Sequence, residues 1–209
     1  MENNYQNMDA IDRMRTRPLA WMNILLVVAN ILIFVLVEIT GSTTDTANML
    51  LWGASYVPYV VDGREYWRLF TSMFLHFGIQ HLFNNMLLLF FLGDTLERVV
   101  GKISYLLIYL LGGLGGNILS CYVEMKNESY AVSAGASGAV FAVIGAMLYV
   151  LIRNRGRIEE MTTQRLMIMA LLTLYVGFTT KGVDNMAHLG GLMCGFLLAV
   201  ILYHGRHKA

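Results

Sequence analysis

Charged side chains are scarce in this 209-residue chain: they make up 14% of it, against about 25% in a usual soluble domain. Apolar side chains reach 56%, so a soluble fold of this length would lack polar cover. The net charge of +1 gives no basic field, so nucleic acid is not expected as a partner. Cys121 and Cys194 lack metal-ligand spacing, which argues against a disulfide framework and a zinc site.

Long apolar stretches dominate what is present. A helix needs about 20 apolar residues to cross a hydrocarbon core of ~30 Å. The chain has six such stretches, of which the fifth is the shortest, at approximately 19–39, 69–92, 103–123, 130–152, 166–179 and 185–203. A chain of this length cannot bury six such helices away from water. The sequence therefore predicts an all-α, polytopic membrane protein with six transmembrane helices.

The positive charges give these spans a direction, because Lys and Arg in short connections accumulate on the cytoplasmic side. With the N-terminus inside, eleven of the fifteen Lys and Arg residues are cytoplasmic. The four that fall outside are Arg64, Arg68, Lys126 and Lys181. Both termini are then cytoplasmic, and the second, fourth and sixth spans each begin at the outer surface.

Three of these spans carry polar side chains, which are costly in a membrane and so are functional candidates. In the second span, His81 and Asn85 are four residues apart and share one helical face. In the fourth, Ser137 lies in a run of small residues. Helix packing alone would also explain such a run, and a lone His can be a packing residue.

The sixth span contains His188 and a G-x-x-x-G pattern at Gly191 and Gly195, a surface suited to close helix contact. If this surface meets Gly135 and Gly138 of the fourth span, His188 approaches Ser137. Counted at 1.5 Å per residue, Ser137 lies roughly 10 Å deep, His188 roughly 5 Å and His81 roughly 15 to 18 Å. All three are then in the outer half of the membrane.

These residue types suit acyl transfer. Serine is a weak nucleophile that needs a base within hydrogen-bond reach, and His188 can be that base for Ser137. No carboxylate lies at membrane depth beside His188, so the pair is a dyad, and Asp184 is interpreted as a helix cap. His81, Asn85 and the Ser137 backbone N–H are candidate donors to a developing oxyanion.

Taken together, these residues resemble the rhomboid intramembrane serine proteases in their minimal six-helix form. The resemblance covers residues 19–203. A seventh helix, which other forms of the family have, is not predicted in this sequence. Its motifs are Trp67-Arg68, His76 with His81 and Asn85, Gly93 and Glu97, Gly135-Ala136-Ser137-Gly138, and Ala187-His188-Leu189-Gly190-Gly191 with Gly195.

The resemblance implies that Ser137 is the nucleophile, His188 the general base, and His81 and Asn85 oxyanion stabilisers, with no cofactor and no metal. It implies a serine endopeptidase that cleaves transmembrane segments of other membrane proteins near their outer end. Trp67-Arg68 would belong to a structural loop. The fifth helix and residues 180–183 resemble the lateral gate of the family, and Phe141 stands where the family often has Tyr.

We therefore expect a membrane domain at residues 19–204 between two short cytoplasmic tails, 1–18 and 205–209. The expected location is a prokaryotic cell membrane, with the active site open to the outside. The expected partners are the lipid bilayer and transmembrane protein substrates, and no oligomeric state is predicted.

Three other functions predict different sequence features. A non-catalytic rhomboid-like binder of transmembrane helices would usually lack the Ser or the His. A transporter or channel predicts polar groups down to the inner surface, but the second span continues below Asn85 with apolar residues 86–92. A structural scaffold would leave His81, Asn85 and His188 unexplained.

Overall fold

The computed structural model describes residues 19–158, 161–179 and 182–205. The predicted tail 1–18, residues 206–209, and Thr180 and Lys181 of the predicted gate loop lie outside these ranges. The described residues form ten α-helices and one two-stranded antiparallel hairpin.

The elements follow one another in this order: α1 (Trp21–Thr40), α2 (Thr46–Leu51), α3 (Val57–Val61), α4 (Arg68–Thr71), a 3-10 turn (Ser72–Phe74), α5 (Gly78–Leu88), a π-helical turn (Leu89–Gly93), α6 (Asp94–Val100), α7 (Lys102–Asn127), α8 (Ser137–Arg153), β1 (Arg157–Ile158), β2 (Met161–Thr162), α9 (Thr163–Thr179) and α10 (Asn185–Leu202).

Three helices among the described residues are long and apolar enough to cross a membrane: α1, α7 and α10, with 20, 26 and 18 residues. A fourth candidate joins Arg68–Phe74 to Gly78–Val100, and these two parts meet at 88°. Helix α8 is apolar but has 17 residues. The architecture is thus a mostly helical membrane fold, and the number of six spans stays a prediction.

The second predicted span begins too early. Residues 69–92 were expected to be one helix, but the regular helix α5 begins at Gly78, after the 88° bend. Gly78 has a φ of +77°, which glycine adopts without steric cost, so the chain can turn there. From Gly78 the helical path continues past the predicted end to Val100.

The fourth predicted span also begins too early, because helix α8 starts at Ser137. Before it, Ser55 and Ser133 exchange two backbone hydrogen bonds of 2.9 Å, and the Gly135 N–H donates to the Ser72 carbonyl at 2.9 Å. These bonds satisfy backbone groups that a helix would otherwise pair internally. Composition alone therefore placed the helix start seven residues too early.

Helix α8 is the centre of the bundle: twelve of its seventeen residues are buried, as expected for a helix apolar on all sides. A Cβ at Gly191 would collide with the Gly138 backbone, and one at Gly195 with the Ala142 backbone. Helices α8 and α10 therefore run parallel with their backbones in contact, which confirms the predicted contact at Gly138.

Helix α7 packs antiparallel to this pair through a second set of small residues. A Cβ at Gly113 would lie 2.8 Å from Cβ of Ala139, and one at Gly116 would lie 2.5 Å from the Ala187 carbonyl oxygen. Helices α7, α8 and α10 thus form one tightly packed unit.

The connection between Thr40 and Tyr66 contains the short helices α2 and α3. Arg68, just after it, is 7% exposed. Its Nη1 donates to the carbonyls of Leu50 and Ala54 at 2.7 and 3.2 Å, and its Nε pairs with Glu65 at 2.6 Å. These contacts give Arg68 a structural role in this loop.

The opposite end of the bundle is tied by Glu97 of α6. Its carboxylate accepts hydrogen bonds from the backbone N–H groups of Met22 and Asn23, at 3.2 and 2.7 Å. These N–H groups have no partner inside α1, so Glu97 caps that helix. A Cβ at Gly93 would lie 2.5 Å from the Tyr105 hydroxyl oxygen, so a side chain there would disturb this junction.

Helix α9 packs less closely than α7 or α10. A cavity of about 190 Å³ lies between α8, α9 and α10. Its lining is entirely apolar and consists of Ile144, Leu148, Leu166, Met167, Ala170, Leu171, Leu174 and Leu192.

Candidate active site

The three candidate helices each carry a site residue in their first turn. His81 is the fourth residue of α5, Ser137 the first of α8, and His188 the fourth of α10. At 1.5 Å per residue, each lies within about 5 Å of the start of its helix. Helices α5 and α8 begin later in the chain than expected, so His81 and Ser137 lie nearer to their helix starts than the sequence count placed them. The depth of the three residues in a membrane stays a prediction.

Gly135 brings His81 and Ser137 together. A Cβ at Gly135 would lie 2.7 Å from Cε1 and 2.9 Å from Nε2 of His81, and 3.6 Å from Oγ of Ser137. The imidazole and the hydroxyl therefore flank the same point, and any side chain at Gly135 would displace the His81 ring. Gly135 was expected to face the sixth span, but it faces His81 instead.

His76 is a neighbour of the site that sequence reasoning did not include among the catalytic candidates. Its side chain is 1% exposed, and its Nε2 accepts a hydrogen bond from the Ala136 backbone N–H at 3.3 Å. Its ring meets that of His81 edge-on, with centroids 5.2 Å apart. The sequence feature that could have indicated His76 as a neighbour of the site is its position, five residues before His81.

His188 is 4% exposed, and its ring stacks on Phe141 with centroids 4.4 Å apart and planes 16° apart. Phe141 is four residues after Ser137, on the same face of α8. The stacking therefore holds the imidazole over the helical face that carries the serine.

No direct hydrogen bond joins Ser137 to the His188 ring in the part of the chain that the structure describes. Catalytic hydrogen bonds are often long without substrate and shorten in the complex. Nδ1 of His188 also has no hydrogen-bond partner among these residues. The dyad interpretation stays a prediction.

Asn85 lies one turn after His81 and is 5% exposed. Its buried Nδ2 has no hydrogen-bond partner among the described residues. An unpaired buried donor costs about 1–3 kcal/mol, so such groups are rare in folded proteins. A free amide donor is one of the groups that can stabilise an oxyanion.

Asp184 caps helix α10, as the sequence interpretation expected. Its Oδ1 accepts a hydrogen bond from the Ala187 backbone N–H at 2.9 Å. Its Oδ2 accepts from the hydroxyls of Ser120 at 2.6 Å and Ser133 at 2.9 Å. Both carboxylate oxygens thus accept hydrogen bonds from groups other than the His188 ring.

Metal ligands do not cluster in the described ranges: no group of three or more His, Cys, Asp or Glu residues could hold an ion there. Cys121 and Cys194 are both free thiols.

Comparison with known families decides the relationship. A family model described as the Rhomboid domain matches residues 63–205, a range that contains all four candidate residues. The chain belongs to the rhomboid family.

Curated relatives agree with this assignment. The rhomboid protease GluP of Bacillus subtilis (strain 168) is 39% identical over 85% of this chain and 34% of its own length. RHOMBOID-like protein 5 of Arabidopsis thaliana is 41% identical over 68% of this chain and 46% of its own length. The mitochondrial RHOMBOID-like protein 6 of the same organism is 35% identical over 90% of this chain and 70% of its own length. The chain thus spans less than half the length of two of these three relatives.

Proposed function

We propose that this rhomboid-family chain is an intramembrane serine endopeptidase that cleaves transmembrane segments of other membrane proteins near their extracytoplasmic end. The observation that carries the proposal is that His81 and Ser137 flank Gly135, while His188 stacks on Phe141, one helical turn after Ser137. Polar groups are costly in a membrane-spanning bundle, which supports a functional role for these residues and for Asn85, one turn after His81.

In the proposed first step, His188 accepts the proton of the Ser137 hydroxyl while Oγ attacks the scissile carbonyl carbon. The C–N bond then breaks, and the imidazolium returns its proton to the leaving amine. In the second step, water loses a proton to His188 and attacks the acyl ester. The ester C–O bond then breaks, His188 returns the proton to Ser137 Oγ, and the new carboxylic acid is released and ionises. The stacking of His188 on Phe141 supports this assignment, because it restrains the ring through both steps.

The tetrahedral intermediates carry a negative oxygen that needs donors. The unpaired Nδ2 of Asn85 and the His81 ring beside Gly135 support these two residues as donors. The Ser137 backbone N–H is a third, because it lies at the start of α8, where N–H groups lack helical partners.

The substrate must unwind before it is cut, since a helix holds its carbonyl oxygens in hydrogen bonds. We infer that it enters from the lipid beside the loosely packed helix α9. The proposal includes six spans, a membrane domain at 19–204, cytoplasmic termini and an outward site in a prokaryotic membrane. The charge bias of the connections supports this orientation.

A fluorophosphonate probe tests the activated serine in detergent-solubilised protein. Labelling should occur in the wild type and be lost in Ser137→Ala and His188→Ala. Ser104→Ala and His204→Ala are matched controls, because both residues lie outside the site. Cleavage of a reporter transmembrane substrate should follow the same pattern. A folded wild type that neither labels nor cleaves would instead favour a non-catalytic binder of transmembrane helices.

A further inference from the structure

Asp184 joins three separate parts of the fold. Its carboxylate accepts hydrogen bonds from the Ala187 N–H at the start of α10, from the Ser120 hydroxyl of α7, and from the Ser133 hydroxyl of the extended segment before α8. Ser120 is buried, whereas Ser133 and Asp184 are half-buried, so the network is partly shielded from water. A carboxylate with three donors is well satisfied, and hydrogen bonds to a charged group are stronger than neutral ones.

The positions of these partners relate the network to the two reacting residues. Ser133 is four residues before Ser137, and Asp184 is four residues before His188. The Ser133–Asp184 bond of 2.9 Å is therefore a direct side-chain link between the segment that leads to the serine and the helix that carries the histidine.

Other contacts also hold the segment before α8 and helix α10, but these contacts do not join the two by a side-chain hydrogen bond at the level of the site. The Ser133 backbone pairs with Ser55, which ties the segment to the outer loop and not to α10. The contacts of Gly138 with Gly191 and of Ala142 with Gly195 set the distance between α8 and α10, but they are van der Waals contacts, which are less directional than hydrogen bonds. The Asp184 network adds directional hydrogen bonds between the segment before α8 and the start of α10.

We infer that Asp184 is a positioning residue, which sets the approach of His188 to Ser137 by tying the Ser133 segment to the start of α10. The inference rests on the proposed function. Asp184 does not act as a third catalytic residue, because its two oxygens are bonded elsewhere and Nδ1 of His188 has no partner among the described residues. A displacement of about 1 Å between reacting groups can cost about 10²-fold in rate.

The kinetic test compares Asp184→Ala with the wild type. The rate of fluorophosphonate labelling and kcat for a reporter transmembrane substrate should both fall by about 10- to 100-fold, with little change in KM. Asp45→Ala is the matched control, because Asp45 also caps a helix by accepting one backbone N–H, from Ala47 at 3.1 Å, but lies in the outer loop. It should label at the wild-type rate.

Three further variants separate positioning from stability. In Asp184→Asn the amide oxygen still accepts the Ala187 N–H, and the amide N–H₂ can donate to the two hydroxyls, so most of the rate should return. Ser133→Ala should slow labelling more than Ser120→Ala, because only Ser133 lies on the segment that leads to Ser137. These milder changes keep the test valid if Asp184→Ala does not fold.

An activity-independent measurement uses a disulfide between Gly138→Cys and Ala187→Cys. A Cβ at Gly138 would lie 3.8 Å from Cβ of Ala187, the usual separation in a disulfide, which is about 3.8 Å. With Cys121 and Cys194 replaced by alanine, this pair should crosslink about tenfold more slowly when Asp184→Ala or Ser133→Ala is added.

Unchanged labelling and unchanged crosslinking in folded Asp184→Ala or Ser133→Ala would overturn the inference. Loss of labelling with unchanged crosslinking would also overturn it, because Asp184 would then act otherwise than through position. If the wild type itself neither labels nor cleaves, the proposed protease function fails, and the crosslinking rates alone decide whether Asp184 sets the arrangement of α8 and α10.

Discussion

Asn85 offers the sharpest separation of activity from stability. Its Nδ2 is buried and unpaired among the described residues, so Asn85→Ala removes a donor that makes no hydrogen bond to them. Removing the unpaired donor recovers part of a penalty of about 1–3 kcal/mol, while the smaller side chain loses packing. These two changes oppose each other, so the free energy of unfolding should change by no more than about 1 kcal/mol.

The rate should respond very differently. Losing one oxyanion donor typically lowers kcat by about 10²–10³-fold, which is about 2.7–4 kcal/mol of transition-state stabilisation. We expect kcat of Asn85→Ala to fall by about 10²-fold with a reporter transmembrane substrate. KM should change little, because the lost interaction exists only in the transition state.

Asn84 supplies the matched control, because it is the adjacent asparagine and is exposed. Asn84→Ala should keep wild-type kcat and a wild-type unfolding midpoint in detergent. Asn85→Leu, which retains volume without a donor, should behave like Asn85→Ala. The oxyanion assignment would be refuted by near-wild-type kcat in both Asn85 variants, or by an equal loss in Asn84→Ala.

Three further predictions concern packing around the site. Gly191→Val forces a side chain against the Gly138 backbone and should lower the unfolding midpoint, since overpacking costs about 1–3 kcal/mol; an unchanged midpoint would contradict the contact. Phe141→Leu removes stacking worth about 0.5–1.5 kcal/mol and should slow fluorophosphonate labelling about two- to tenfold, while Phe141→Tyr and the exposed control Phe83→Leu stay near wild type. Glu97→Ala leaves two backbone N–H groups of α1 without their acceptor and should lower the midpoint; a specific loss of labelling in folded protein would argue against this purely structural role.

The spans were predictable to the extent that they depend on local composition. Apolar stretches identified α1, α7 and α10 with shifts of a few residues at their ends. Local hydropathy did not predict the helix start where a segment pairs with backbone that is distant in the sequence. Ser133 pairs with Ser55, 78 residues away in sequence, and this pairing keeps the segment before Ser137 extended.

The residues of the candidate site could be predicted from the sequence, but the contacts between them could not. His81 with Asn85, Ser137 and His188 stand out because ionisable and polar groups are rare in apolar helices. Their first-turn placement was not foreseen, because it depends on where each helix starts. The position of His76 beside the site was not predicted, because its partner, the Ala136 N–H, is 60 residues away in the sequence.

The sequence by itself determined that this is a mostly helical membrane protein of the rhomboid family, and which polar residues are exceptional, because hydropathy and motif spacing are written along the chain. Only the tertiary structure decided that Phe141 stacks on His188 and that Asp184 links Ser133 to α10. These contacts join residues from 47 to 51 positions apart, and composition carries no information about which distant groups will meet.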